Sequence, residues 1–178
     1  MLSRRSLLKI ASAFVVLPAS GVLLYRLRSF ELPVRPLSPE ERQAVRTVTE
    51  LIVPADEISP GAIDLKIDEE ILGRANENRY FRRVLKRGVS WLNSEAVRST
   101  GREFLFLGQR EQVALLEDAE AADSESPENR FFRRMRDLTL ELYYTRPLAW
   151  QVLCYQGPPQ PLGFIDYEKP PRECSSSA

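Results

Sequence analysis

The sequence has no histidine among its 178 residues, and its two cysteines both lie in the C-terminal fifth. Histidine is the commonest metal ligand and general acid–base residue, and cysteine holds zinc, haem and iron–sulfur clusters. The cysteines do not form a CxxC or CxxCH motif, and no phosphate-cradling glycine loop occurs. We therefore predict that the chain has no metal or cofactor of its own, and we identify no catalytic residue.

An excess of charge of one sign is also missing, because 25 basic residues balance 25 acidic ones. The balance is uneven along the chain: the first 28 residues hold five basic and no acidic residues, so the remainder has a net charge of −5. A mildly acidic domain lacks the basic surface that nucleic-acid binding requires. The remaining length is enough for one domain with a single core.

The first residues have the pattern of an export signal. Arg4 and Arg5 precede two leucines and Lys9, and a moderately apolar run follows over residues 10–24. This order is typical of twin-arginine export, with Leu7 in place of the usual phenylalanine. An ordinary secretory signal and a coincidental anchor are the alternatives. We expect an exported, periplasmic protein.

The apolar run also bears on membrane attachment. Its 15 residues fall short of the roughly 20 that span a bilayer. Cleavage between residues 19 and 29 and an uncleaved N-terminal tether both remain open. We assign residues 1–30 to the signal.

Apolar residues recur three and four positions apart through much of residues 31–157, which predicts amphipathic helices. Ser38 and Glu41 form a capping-box pattern, and Ser126 before Pro127 marks the start of the last long helix. A short helix is expected through Ile63, Ile67 and Ile71. The predicted fold is all-α: a compact bundle of five or six helices, preceded by a signal helix.

Two further segments are interpreted from their composition. The acidic residues 117–128 contain no basic residue and lack the ligand pattern of a calcium loop, so we expect a solvated surface loop. The apolar residues 104–107 are expected in the core.

The C-terminal residues 158–178 are predicted to form an extended, irregular, proline-rich tail. Apolar side chains in an irregular segment need a surface to lie on, either of this domain or of another protein. Cys154 and Cys174 could pair with each other or leave a thiol for a partner.

Aromatic residues near the C-terminus are candidates for partner binding. Adjacent helical residues point about 100° apart. We therefore expect the Tyr143 side chain to pack in the core and the Tyr144 side chain to point away from it. Tryptophan and tyrosine are core residues by default but are enriched at interfaces. The candidate partner-binding residues are Tyr144, Trp150, Tyr155, Phe164 and Tyr167.

Charged residues elsewhere have simpler interpretations. Asp56 follows Pro54 and Ala55, a position where aspartate usually accepts hydrogen bonds from nearby backbone amides. Two basic clusters, residues 82–87 and 130–136, are solvated helix faces or meet acidic groups. Those groups would belong to a partner or to this chain's own acidic segment.

Several motifs together resemble one family. They are L-I-V-P-A-D from Leu51 with S-P-G-A from Ser59, F-L-F-L from Phe104 with Q-R-E-Q from Gln109, Y-Y-T from Tyr143, and an aromatic stretch from Trp150 that ends in Y-Q-G. In this order and spacing they resemble the gluconate 2-dehydrogenase subunit 3 family over roughly residues 38–167.

This resemblance implies a small, cofactor-free subunit of a membrane-associated periplasmic dehydrogenase. The large subunit would be a flavoprotein of the glucose–methanol–choline type that holds FAD and oxidises a sugar, sugar acid or polyol. A cytochrome c subunit with haem c would pass electrons on. The small subunit would carry the export signal, so the twin-arginine translocase is a further expected partner. A free periplasmic assembly chaperone is the alternative, and an independent enzyme is a third hypothesis.

Overall fold

The structure is a computed structural model that describes residues 34–151, and every regular element in this range is helical. Six α-helices follow in order: α1 (Pro39–Ile52), α2 (Ile67–Glu77), α3 (Arg79–Thr100), α4 (Gln109–Ala121), α5 (Pro127–Tyr144) and α6 (Pro147–Gln151). A 3-10 turn, Phe104–Phe106, lies between α3 and α4. The prediction of an all-α bundle of five or six helices is confirmed.

The signal (residues 1–30) and the tail (158–178) lie outside the described residues. The same holds for five of the candidate residues and for the arginine pair: Tyr155, Phe164, Tyr167, Cys154, Cys174, Arg4 and Arg5. The helices described here belong to the unit that begins at Pro36.

Local sequence signals set where the helices begin. In α1 the amide of Ser38 donates to Glu41 Oε2 at 2.7 Å, and the amide of Glu41 donates to Ser38 Oγ at 3.2 Å. This reciprocal capping box satisfies two amides that the helix leaves unpaired. Asn78 caps α3 and Ser126 caps α5. Each side-chain oxygen accepts a hydrogen bond from one backbone amide in the first turn of its helix.

Helix α5 is central, because it packs against each of the other five α-helices. Its buried face includes Phe131, Met135 and Leu138, all at most 1 % exposed. These side chains meet fully buried residues of the neighbouring helices, and the largest of those are Val45 and Val48 from α1, Ile67 and Ile71 from α2, and Leu85 and Leu92 from α3. One continuous core results.

Helices α3 and α5 are in close contact at Gly88. A Cβ atom there would lie 1.9 Å from Cγ of Phe131, far inside any normal contact distance. The Phe131 ring therefore occupies the space that a side chain at position 88 would need. Glycine is required here for packing, although it weakens a helix interior.

The structure differs from the sequence-based expectations in three places. Residues 117–121 of the acidic segment are the last turn of α4, because Ala119 is fully buried against the core while the acidic side chains face outward. The helix expected to include Ile63 begins at Ile67, after a left-handed Lys66 (φ 57°). In the 3-10 turn Phe104 is buried, but Phe106 is 70 % exposed.

Within residues 34–151, none of the helices is both long enough and apolar enough to cross a membrane.

Candidate partner-binding surface

Three of the most exposed apolar side chains lie at one end of the helical unit. They are Ile58 in the loop after α1, Tyr144 at the end of α5, and Leu148 in α6, which are 77 %, 52 % and 51 % exposed. We call this region the tyrosine end; it comprises residues 54–61, Tyr143, Tyr144 and α6. Apolar groups exposed together at one end of a small protein are typical of a binding surface.

Tyr143 holds the tyrosine end together. Its side chain is 6 % exposed, and its hydroxyl donates a hydrogen bond to the carbonyl of Pro60 at 2.9 Å. Its ring meets that of Tyr144 edge to face, with centroids 5.4 Å apart. The predicted division of the pair is confirmed: Tyr143 packs into the core, and Tyr144 points outward.

Helix α6 is fixed to the end of α5 by Trp150. The indole Nε1 donates to the carbonyl of Tyr144 at 2.6 Å, and Ala149 is buried. Trp150 itself is half-buried. One part of its side chain therefore packs against the protein, and the other part is exposed at the tyrosine end. Leu148 is left facing solvent beside this fixed turn.

Ion pairs tie the same end to α2. Arg146 Nη2 lies 2.6 Å from Glu70 Oε2, and Arg74 bridges Glu70 and Glu141 at 3.0 and 3.5 Å. These side chains are about 36–60 % exposed, so each pair contributes little to stability alone. Their joint effect is to orient the end of α5 against α2.

The loop that presents Ile58 is shaped by Asp56. Its Oδ1 accepts hydrogen bonds from the amides of Ser59 and Ile58 at 2.6 and 2.8 Å and from the Ser59 hydroxyl at 3.0 Å. These bonds, led by that of the Ser59 amide, hold the pKa of Asp56 below its ordinary 3.8. Asp56 is thus a turn-forming residue, as predicted.

Gly61 closes this loop through a close backbone approach. A Cβ at position 61 would lie 2.6 Å from the amide nitrogen of Ala55. The Ala62 amide then donates to the Val53 carbonyl at 2.9 Å, which closes the loop. The sequence predicted a turn here but gave no signal for the contact between Gly61 and Ala55.

The basic clusters are largely engaged within the protein. In α5, Arg130 pairs with Glu125, and Arg136 lies 2.8 Å from Glu120. This is the predicted alternative in which the cluster meets the chain's own acidic segment. In α3, Lys86 Nζ lies 2.8 Å from Glu41, so the capping-box carboxylate also links α1 to α3.

A buried carboxylate that the sequence analysis did not single out lies elsewhere, between α1 and α2. Asp68 has a side chain 7 % exposed and lies 4.0 Å from Arg46. The two residues border an open cleft of about 490 Å³ that Arg42 and Glu69 also line. Among residues 34–151 there is no group of three or more potential metal ligands. The cleft is lined by two arginines and two carboxylates, of which Arg46 and Asp68 form an ion pair.

Comparison with known proteins identifies the chain. The sequence model of one family, described as gluconate 2-dehydrogenase subunit 3, matches residues 39–157. Neither the curated proteins nor the solved structures contain a significant match. The family match covers all six helices and every residue of the tyrosine end. The chain therefore belongs to the gluconate 2-dehydrogenase subunit 3 family, whose description names a subunit of a dehydrogenase complex.

Proposed function

We propose that this chain is the non-catalytic small subunit of a membrane-associated periplasmic dehydrogenase. It binds a flavoprotein large subunit of the glucose–methanol–choline type, stabilises it, and escorts it through twin-arginine export. FAD belongs to that large subunit, and haem c belongs to a cytochrome subunit of the same complex. Family membership over residues 39–157 is the observation that carries this proposal.

The tyrosine end supports a docking role on physical grounds. Burying apolar surface is worth roughly 25 cal/mol per Å², and obligate interfaces bury thousands of Å². Exposed Tyr144 rests on a buried and hydrogen-bonded Tyr143, so little side-chain freedom is lost on binding. Tyrosine and tryptophan are the side chains most often found at the energetic centre of interfaces. We therefore place the flavoprotein contact at Tyr144, Leu148 and Trp150.

The export role rests on the N-terminal pattern. Twin-arginine export moves folded proteins, so one signal suffices for two subunits that assemble first. Arg4 and Arg5 would then serve both the small subunit and its partner.

The test replaces both arginines, Arg4→Lys and Arg5→Lys, in a strain that also produces the flavoprotein. We expect both polypeptides to accumulate in the cytoplasm, measured by immunoblotting of periplasmic and cytoplasmic fractions. A matched control carries Arg26→Lys and Arg28→Lys, which alter two arginines outside the pair and should leave export intact. Normal arrival of the flavoprotein in the periplasm with the Arg4 and Arg5 variant would disprove the escort role.

A further inference from the structure

Ile58 is the most exposed of the large apolar side chains that the structure describes, with 77 % of its surface open to solvent. A single exposed isoleucine needs no explanation by itself. Ile58, however, belongs to the tyrosine end, and its surroundings differ from those of an ordinary surface side chain in their rigidity and in their charge.

The backbone around Ile58 is fixed by hydrogen bonds within the loop. Asp56 Oδ1 accepts from the amides of Ile58 and Ser59, and the Asp56 amide donates to the Ser59 carbonyl at 3.1 Å. A second carboxylate, that of Asp64, accepts from the Gly61 amide at 2.9 Å. Backbone groups of an exposed loop can bond to water instead, so these bonds are not needed to satisfy the amides. Their effect is to hold the loop in one conformation.

The loop is also fixed relative to α5. The Tyr143 hydroxyl donates to the carbonyl of Pro60, two residues after Ile58, at 2.9 Å. The Tyr143 ring in turn packs edge to face against that of Tyr144, with 5.4 Å between centroids. One buried tyrosine therefore contacts both the loop that carries Ile58 and the exposed ring of Tyr144, which places the two exposed side chains on neighbouring parts of one surface.

A rigid loop with an exposed apolar side chain is suited to binding. While Ile58 stays in water, the protein forgoes the free energy that burial of an isoleucine provides. A flexible loop loses conformational freedom when it binds, and this loss reduces affinity. Because the loop is already fixed in the free protein, a contact made by Ile58 avoids that loss.

The charges around Ile58 indicate the kind of surface that it fits. Residues 54–65 contain three acidic residues and no basic residue. The three, Asp56, Glu57 and Asp64, are all exposed. An apolar side chain within an acidic rim complements an apolar pocket that has lysine or arginine at its edge.

We propose that Ile58 inserts into an apolar pocket with a basic rim on the flavoprotein subunit, next to the contact of Tyr144, and that Asp56 positions it. This inference rests on the proposed function and extends the docking surface from the end of α5 to the loop after α1. Asp56 is a positioning residue, because its Oδ1 is used within the loop by the two amides and the Ser59 hydroxyl.

The dissociation constant of the complex between the full-length chain and the flavoprotein, measured by dilution of the purified complex, tests this assignment. Ile58→Ala should weaken binding about tenfold, as loss of a buried interface side chain does. Asp56→Ala should weaken it by a similar factor although Ile58 is unchanged, because the loop is no longer held. The double variant should bind about as weakly as Ile58→Ala alone, since Asp56 acts through Ile58.

Two conservative variants separate the positioning role of Asp56 from its charge. Asp56→Asn keeps an oxygen that can accept hydrogen bonds from the two amides. Glu57→Gln is the matched control, because it removes one negative charge at the neighbouring position. Each should weaken binding only about two- to threefold, the effect of a single exposed charge at the rim of an interface.

The outcomes distinguish this inference from the proposed function. Unchanged binding by Ile58→Ala, with a wild-type chain that binds, would overturn the inference and leave the proposed function unaffected. Additive losses in the double variant, or a loss in Asp56→Asn equal to that in Asp56→Ala, would overturn the positioning role. A wild-type chain that binds no flavoprotein would instead refute the proposed function, and with it the inference that depends on it.

Discussion

The two halves of α5 make opposite kinds of contact. Near its start, the Phe131 ring fills the space above Gly88 so completely that no side chain fits there. At its end, Tyr143 is buried and bonded to Pro60, yet the next residue, Tyr144, is half-exposed beside exposed Leu148. The first half of α5 is packed against other helices of the same chain. The second half exposes apolar side chains that lie on buried, hydrogen-bonded residues.

This difference separates the residues that maintain the fold from those available for binding. A substitution at the α3–α5 contact should change stability, and one on the outward side of the tyrosine end should change association.

The largest effect is expected at Gly88. Gly88→Ala places a Cβ inside the Phe131 ring, and overpacking of this kind costs about 3 kcal/mol at the upper end of the usual range. Gly73→Ala in α2 is the matched control, because nothing lies within 4 Å of its Cβ. Alanine there should stabilise by up to about 1 kcal/mol. Urea unfolding measures both, and equal effects of the two substitutions would refute the assigned packing.

A smaller effect is expected from the hydroxyl of Tyr143. Tyr143→Phe leaves the Pro60 carbonyl without its donor and should lower the free energy of unfolding by about 1 kcal/mol. Tyr144→Phe removes an exposed hydroxyl and should change it by less than about 0.5 kcal/mol. Thermal unfolding measures both variants. If Tyr144→Phe destabilises the protein more than Tyr143→Phe does, the Tyr143 hydroxyl does not stabilise the tyrosine end.

The smallest effect concerns pH and the loop of Asp56. Because the folded-state pKa lies below the ordinary 3.8, the charged form favours the folded loop. This contribution is present above about pH 4 and is lost as the pH falls through the lowered pKa. Hydrogen exchange of the Ile58 and Ser59 amides should therefore show protection at neutral pH that disappears in acid. Asp56→Ala should remove the protection at every pH, and protection that persists in that variant would contradict the turn.

Local features of the fold could be predicted from the sequence. The capping box of Ser38 and Glu41 and the start of α5 at Pro127 depend on residues three or fewer positions apart. The opposite directions of Tyr143 and Tyr144 follow from helix geometry alone. In each case the physical cause lies within one turn of helix.

Features that depend on distant residues could not be predicted. Helix α4 extends into the acidic segment because Ala119 is buried by other helices, which overrides the preference of so many acidic residues for solvent. The contact of Gly88 with Phe131 and the bond from Lys86 to Glu41 each join residues more than 40 positions apart. The predicted partner-binding roles of Tyr155, Phe164 and Tyr167 remain predictions. Both alternatives for Cys154 and Cys174, a disulfide with each other or a thiol left for a partner, also stay open.

Co-purification of this chain with its proposed flavoprotein partner tests the central claim most directly. Wild-type chain and Tyr80→Ala, which alters a more exposed tyrosine near the start of α3, should each retain the flavoprotein in a one-to-one ratio. Tyr144→Ala and Leu148→Ala together should weaken binding more than about tenfold, the effect of losing interface residues that dominate affinity. Undiminished binding by that double variant, or a mature flavoprotein that has released this chain, would contradict the account.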